Sequence, residues 1–209
     1  NYVNLINIRL AEAGREALNL SIVNPAVLIG VFCGAAMVFY FSALCISAVQ
    51  RAAQGIVREV RRQFREIVGL LEGKPGVEAD YATCVDICTR SALKEMITPT
   101  LVVIGSPVLA GVVLGPAGVV GFLAGTVVAG FALAVFMLNA GGAWDNAKKH
   151  IERGNHGGKG SDQHKAAVIG DTVGDPLKDT AGPSFNNVMV LASTVAIVFA
   201  GVAVAFSLM

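Results

Sequence analysis

Three aspartates, Asp171, Asp175 and Asp179, recur at every fourth position of GDTVGDPLKDTAGPS, residues 170–184, with Lys178 among them. A spacing of four predicts that the carboxylates share roughly one helical face, where like charges repel by a few tenths of a kcal/mol per pair unless cations lie between them. Oxygen-only carboxylate sets suit hard ions such as magnesium, which keeps waters and is commonly held by one or two carboxylates together with substrate phosphates. Lys178 adds a compact positive charge suited to a phosphate oxygen. A second set, in GGAWDNAKKHIE at 141–152, carries Asp145, Lys148 and Lys149 on adjacent turns. Solvated helix ends would account for Lys148 and Lys149 alone, but a register of acids beside an apolar stretch points to ion binding. Four carboxylates and three lysines together predict a site for a magnesium-bound polyanion.

Those residues must be positioned by apolar elements. The chain of 209 residues is 54% hydrophobic and 15% charged, against about 25% charged in soluble domains, and its mean hydropathy is +0.64. With 24 glycines and 7% aromatics, the composition is that of membrane helices packed through small residues. A formal net charge of +1 gives no field for nucleic acid, and none is expected as a partner.

A spanning helix needs about 20 mostly apolar residues. The stretch 17–50 is free of charge, and Asn24-Pro25 predicts a helix start there. The stretch 96–144 also lacks charge and is broken by Gly115-Pro116-Ala117-Gly118, which predicts a hairpin of two crossings. A third stretch, 180–209, is uncharged and most apolar over 188–206. Basic residues concentrate between the spans, eight in 50–97 and six in 145–179, so both connections are expected in the cytoplasm. The reading is therefore an all-α, polytopic membrane bundle with four transmembrane helices. It has an extracytoplasmic segment at 1–24, spans at 25–49, 98–115, 118–144 and 181–209, a cytoplasmic amphipathic helix and loop at 50–97, and a cytoplasmic catalytic segment at 145–180. In the amphipathic part, Ile56, Val60, Phe64, Ile67 and Leu71 form the apolar stripe, with Arg58, Glu59, Arg62 and Glu66 on other faces.

Other motifs carry less. The four cysteines do not form a secreted disulfide framework, and Cys84 and Cys88 have no second pair at zinc spacing. In the glycine-rich loop at 154–160, Lys159 is followed by Gly160, so the phosphate-loop pattern is not met. His150, His156 and His164 have neither metal spacing nor a neighbouring nucleophile. The start at Asn1, with no basic-then-apolar leader, reads as cut from something longer.

GGAWDNAKK followed by KGSDQHKAAVIGDTVGDPLKDTAGPS closely resembles the C-terminal portion of membrane-bound, ion-translocating pyrophosphatases, and VDICTRSALKEM (85–96) and VREVRRQF (57–64) extend the likeness over nearly the whole chain. The resemblance implies the last four helices of a sixteen-helix fold that forms homodimers, in a prokaryotic cell membrane or a eukaryotic acidic-organelle membrane. Such a protein hydrolyses magnesium pyrophosphate on the cytoplasmic side and pumps protons or sodium ions, with potassium as an accessory cation in some members. By position it implies Asp145, Asp171, Asp175 and Asp179 as metal-binding acids and Lys148, Lys149 and Lys178 as pyrophosphate contacts. Asp179 would also orient the attacking water, with an aspartate from an earlier helix. Asn186 matches a position near the ion gate, but Val190 stands where many members have a lysine four residues on. The fragment alone is expected to be inactive. The rival readings are a divalent-cation channel or carrier, against which the three lysines argue, and a purely structural helical subunit.

Overall fold

The Asn24-Pro25 start is realised in a computed structural model that describes residues 1–208: the Asn24 side chain accepts from the Ala26 N–H at 3.0 Å, and Pro25 opens the helix. The described residues form helices α1 (Tyr2–Glu12), α2 (Pro25–Glu66), α3 (Tyr81–Glu95), α4 (Ile97–Glu152), α5 (Asp162–Asp175), α6 (Gly182–Val198) and α7 (Ala200–Phe206), with no strand among them. A short 3-10 turn (Asn155–Gly157) precedes α5, and a π-helical segment (Pro176–Ala181) joins α5 to α6. The expected segment 181–209 reaches one residue beyond those described.

Three helical stretches are long and apolar enough to cross a membrane, Pro25–Glu66, Tyr81–Glu152 and Asp162–Val198, which corrects the expected count of four. The difference lies at Gly115. Its φ of 69° and ψ of −176° leave the helical region, yet Pro116 restarts the helix at once, so the second and third expected spans form one stretch, 97–152, with no loop. That stretch doubles back. Gly111 faces Val119 across the break, Val103 and Val188 line one cavity, and a Cβ on Gly130 would lie 3.4 Å from the Met189 sulfur. Residues 103 and 130, about 40 Å apart on a straight helix, thus meet the same turn of α6.

Glycines set the closest approach. A Cβ on Gly30 would sit 2.2 Å from the Gly118 carbonyl oxygen, on Gly34 2.0 Å from that of Phe122, on Gly121 2.1 Å from that of Val27, and on Gly125 2.0 Å from that of Val31. Two small-xxx-small pairs, Gly30/Gly34 and Gly121/Gly125, therefore bring α2 and the second arm of α4 into parallel backbone contact. Phe122, Val38, Phe185 and Val119 are buried beside this seam, and α6 runs antiparallel to the second arm. At the Gly115 end, the Leu208 N–H donates to the Val112 carbonyl at 2.9 Å, and the Arg15 guanidinium donates to the Val204 carbonyl at 3.2 Å.

At the opposite end α2 continues unbroken to Glu66, and its pattern of burial departs from the expected stripe. Glu59 and Gln63 are buried, whereas Phe64 and Leu71 are exposed. The cause is the start of α3. The Gln63 amide accepts from the Asp80 N–H at 2.8 Å and donates to the Asp80 carbonyl at 3.0 Å, and it donates to Glu59 at 2.8 Å. Asp80 in turn caps α3 through the Thr83 N–H, so satisfying backbone groups outweighs burying one more phenylalanine.

Candidate active site

The charged residues of both sequence clusters lie together at the end of the bundle away from Gly115, where the second arm of α4 crosses α5. Glycine again permits the crossing. A Cβ on Gly141 would fall 2.6 Å from the Gly174 carbonyl oxygen, and one on Gly174 would fall 2.9 Å from Trp144 Cε3. One turn beyond this contact, Asp145 of α4 meets Lys178, and Lys148 meets Asp171 of α5. Trp144 lies along Gly170 and Gly174 as the spacer between the helices. Composition draws attention to its charged neighbours; the small residues at 170 and 174 facing a single tryptophan are the signal for its positioning role.

The acids and lysines alternate. Asp145 Oδ2 accepts from Lys149 Nζ at 2.7 Å and from Lys178 Nζ at 2.9 Å, while Lys148 Nζ is 3.5 Å from Asp145 Oδ1 and donates to Asp171 Oδ2. Lys178 Nζ also lies 3.7 Å from Asp179 Oδ2 and 3.9 Å from Asp175 Oδ1. The chain of contacts thus runs Asp171, Lys148, Asp145, Lys178, and then Asp175 and Asp179. Hydrogen bonds from Lys149 and Lys178 hold the Asp145 carboxyl well below the usual carboxylate range. The bond to Asp171 raises Lys148, and the bond to Asp145 raises Lys178.

The common carboxylate face is interrupted. Pro176 has no N–H for the α-helical ladder, and the following turn widens into the π segment that carries Lys178 and Asp179. The Asp171 side chain is 7% exposed, that of Asp175 50% and that of Asp179 63%. Asn186 and Val190 are exposed too, on a part of α6 that this chain leaves uncovered. Among the described residues no three acid, histidine or cysteine groups converge on one point.

The donor set nevertheless fits magnesium. Every candidate ligand is a carboxylate oxygen, and Asp171 Oδ1 is buried without a hydrogen-bond partner. One or two carboxylates per ion is what magnesium usually takes from protein. The remaining polar residues lie elsewhere: His164 contacts Glu152 at 3.1 Å, His150 faces His156, and all four cysteines are free thiols. Gly154, Gly157, Gly158 and Gly160 adopt positive φ in the turn between α4 and α5, which ends where Ser161 caps α5.

This geometry coincides with a family assignment. Residues 3–199 match the family model described as inorganic H+ pyrophosphatase, and the chain belongs to that family. It is 55% identical, over 91% of its length, to a putative K(+)-stimulated pyrophosphate-energized sodium pump of Bacteroides thetaiotaomicron, and covers 26% of that relative. It is 55% identical over 84% of its length to a K(+)-insensitive pyrophosphate-energized proton pump of Caldanaerobacter subterraneus, covering 24%, and 51% identical over 97% to one so named in Chloroflexus aurantiacus, covering 26%. The chain therefore spans about a quarter of the length of the curated relatives it matches, in their C-terminal part. Its long apolar helices and these relatives make it an integral membrane protein.

Proposed function

We propose that this chain supplies part of the hydrolytic site of a homodimeric membrane pyrophosphatase that couples magnesium-dependent cleavage of pyrophosphate to transport of protons or sodium ions. The observation that carries this reading is the alternation of four carboxylates with three lysines at one end of the bundle. A bare cation would be repelled by Lys148, Lys149 and Lys178, whereas a phosphate with its counter-ions suits both signs of charge. This disfavours a divalent-cation carrier.

In this reading the lysines exchange carboxylate partners for phosphate oxygens when pyrophosphate binds, which frees oxygens of Asp145, Asp171, Asp175 and Asp179. Magnesium held by those oxygens would neutralise the phosphates and the leaving group. Asp179, exposed beside Lys178, orients the attacking water with an acid from outside this chain and takes its proton. Water oxygen forms a bond to one phosphorus, the bridging P–O bond breaks, and two phosphates leave; no covalent enzyme intermediate is needed. Asn186 lies beyond the π segment on the same continuous run of helix, a position from which movement at Asp179 reaches an ion gate, with Val190 in place of a lysine. The basic residues of both connections support a cytoplasmic position for the site. The relatives' names divide between potassium-stimulated and potassium-insensitive pumps, so potassium is an accessory cation to be tested.

The test is magnesium-dependent phosphate release from pyrophosphate by membranes carrying the full-length protein, with Asp175→Ala beside it and potassium varied. Activity lost in Asp175→Ala supports the reading. No activity in the correctly inserted parent protein overturns it and favours the cation carrier.

A further inference from the structure

A second charged region lies on the far part of α2. Arg58, Arg61 and Arg65 recur at three- and four-residue intervals, so they form one stripe, and all three are exposed. Together with Arg62, Leu71 and Ile87 they line a groove of about 950 Å³ between α2, the turn after it and α3. The four arginines differ in how far they are engaged. Arg62 is committed to Glu59 at 2.6 Å and Glu66 at 2.5 Å, and the four arginines of the groove still outnumber its two acids. Arg58 uses only Nε, donating to the Gln54 carbonyl at 3.2 Å, and its two terminal nitrogens are open. Arg61 and Arg65 have no hydrogen-bond or ion-pair partner among the described residues. Three guanidinium groups with donors to spare, over a floor that includes Leu71 and Ile87, match a planar-donor site for phosphate oxygens.

We propose that this groove binds a phosphate-bearing anion through Arg58, Arg61 and Arg65. It shares no residue with the lysine–aspartate network, and it does not depend on the hydrolytic reading of that network. The chemistry could come from a lipid headgroup or from a soluble polyphosphate. Height along α2 bears on which. At about 1.5 Å per residue, Arg58 stands roughly 14 Å beyond Val49, the expected end of the apolar span, whereas the headgroup layer is about 5–8 Å deep. An upright α2 therefore presents the groove to a soluble anion, and a strongly tilted one to a headgroup.

The experiment modifies arginines with phenylglyoxal in the full-length protein, held in phosphatidylcholine nanodiscs, and maps them by mass spectrometry. One arm adds tripolyphosphate; the other replaces part of the phosphatidylcholine with phosphatidylglycerol. The expected result is a roughly tenfold loss of reactivity at Arg58, Arg61 and Arg65 in one arm, as charge-assisted contacts would give, with no change at Arg90 outside the groove. Protection by tripolyphosphate identifies a free anion, and protection by phosphatidylglycerol alone identifies a headgroup. The triple variant R58Q/R61Q/R65Q, altered only at exposed positions, should lose one equivalent of whichever anion protects, tripolyphosphate or phosphatidylglycerol, while keeping the parent's melting temperature. Reactivity unchanged from plain phosphatidylcholine in both arms overturns the proposal. So does unreactivity of the three arginines in plain phosphatidylcholine, which would mean that another part of the protein fills the groove.

Discussion

The seam between α2 and the second arm of α4 and the crossing of α4 with α5 are both built on glycine, yet they are held in different ways. At the seam, Gly30, Gly34, Gly121 and Gly125 bring backbone to backbone, and no charged side chain takes part. At the crossing, Gly141 and Gly174 touch, but the contact leads within one turn into seven charged groups. The seam has one arrangement available to it because its neighbours are rigid carbonyls. The crossing holds lysine and aspartate side chains that can change partners without moving either helix, so a fixed scaffold and an adaptable site follow from the same small residue.

The largest effect that separates the two regions is expected from filling the seam. Gly34→Leu would place a Cβ 2.0 Å from the Phe122 carbonyl oxygen and should cost about 3 kcal/mol or more, read as loss of monodisperse full-length protein after extraction. Retention of a normal melting temperature would show that the seam can open. Next comes the crossing: Gly174→Ala should lower kcat more than it raises KM, because it pushes Trp144 and displaces Asp145 from Lys178 while leaving the lysines present. A change in KM alone would count against the positioning role of Trp144.

Smaller effects sharpen the contrast within the charged end. Lys148→Ala leaves the buried Asp171 carboxylate without its partner and should lower the melting temperature, while Lys165→Ala, which breaks an exposed pair with Asp162, should leave it unchanged. Equal effects would mean that burial does not distinguish them. The smallest is the pH response. Asp145 lies below its ordinary value of 3.8, so its contribution is complete above about pH 4 and is lost as pH falls through the lowered value. Lys148 and Lys178 are raised above 10.5, so theirs is complete below that pH and is lost as pH rises through the raised values. Hydrogen-exchange protection factors at 141–152, corrected for the intrinsic rate, should therefore be flat between those limits and fall outside them, with 25–38 unaffected.

Much of this was legible in residue order. Absence of charge marks the apolar stretches, Asn24-Pro25 marks the start of α2, and Gly115-Pro116 marks the reversal, because each depends on local backbone chemistry or on burial alone. Bringing Asp145 to Lys178 was also foreseeable from two charged helix ends sharing one connection. The π segment was not: a repeat of four reads as one face only if the helix is regular, and Pro176 makes it irregular. Burial of Glu59 and Gln63 was hidden as well, since it answers backbone groups of Asp80 that lie seventeen residues away from Gln63. The number of separate long helices differed for a related reason, as a single glycine can turn a helix without ending its hydrogen-bonded run for long.

The contact between the Arg15 guanidinium and the Val204 carbonyl joins residues 189 positions apart. During synthesis the seam can close as soon as the second arm of α4 emerges, but Arg15 must wait while nearly all of the intervening chain is translated and inserted. Until then the Val204 carbonyl is not present to accept from the guanidinium. Assembly of the Gly115 end is thus a late, long-range event, and slow translocation of the stretch after residue 180 would leave a correctly seamed but unlatched intermediate for quality-control proteases to find.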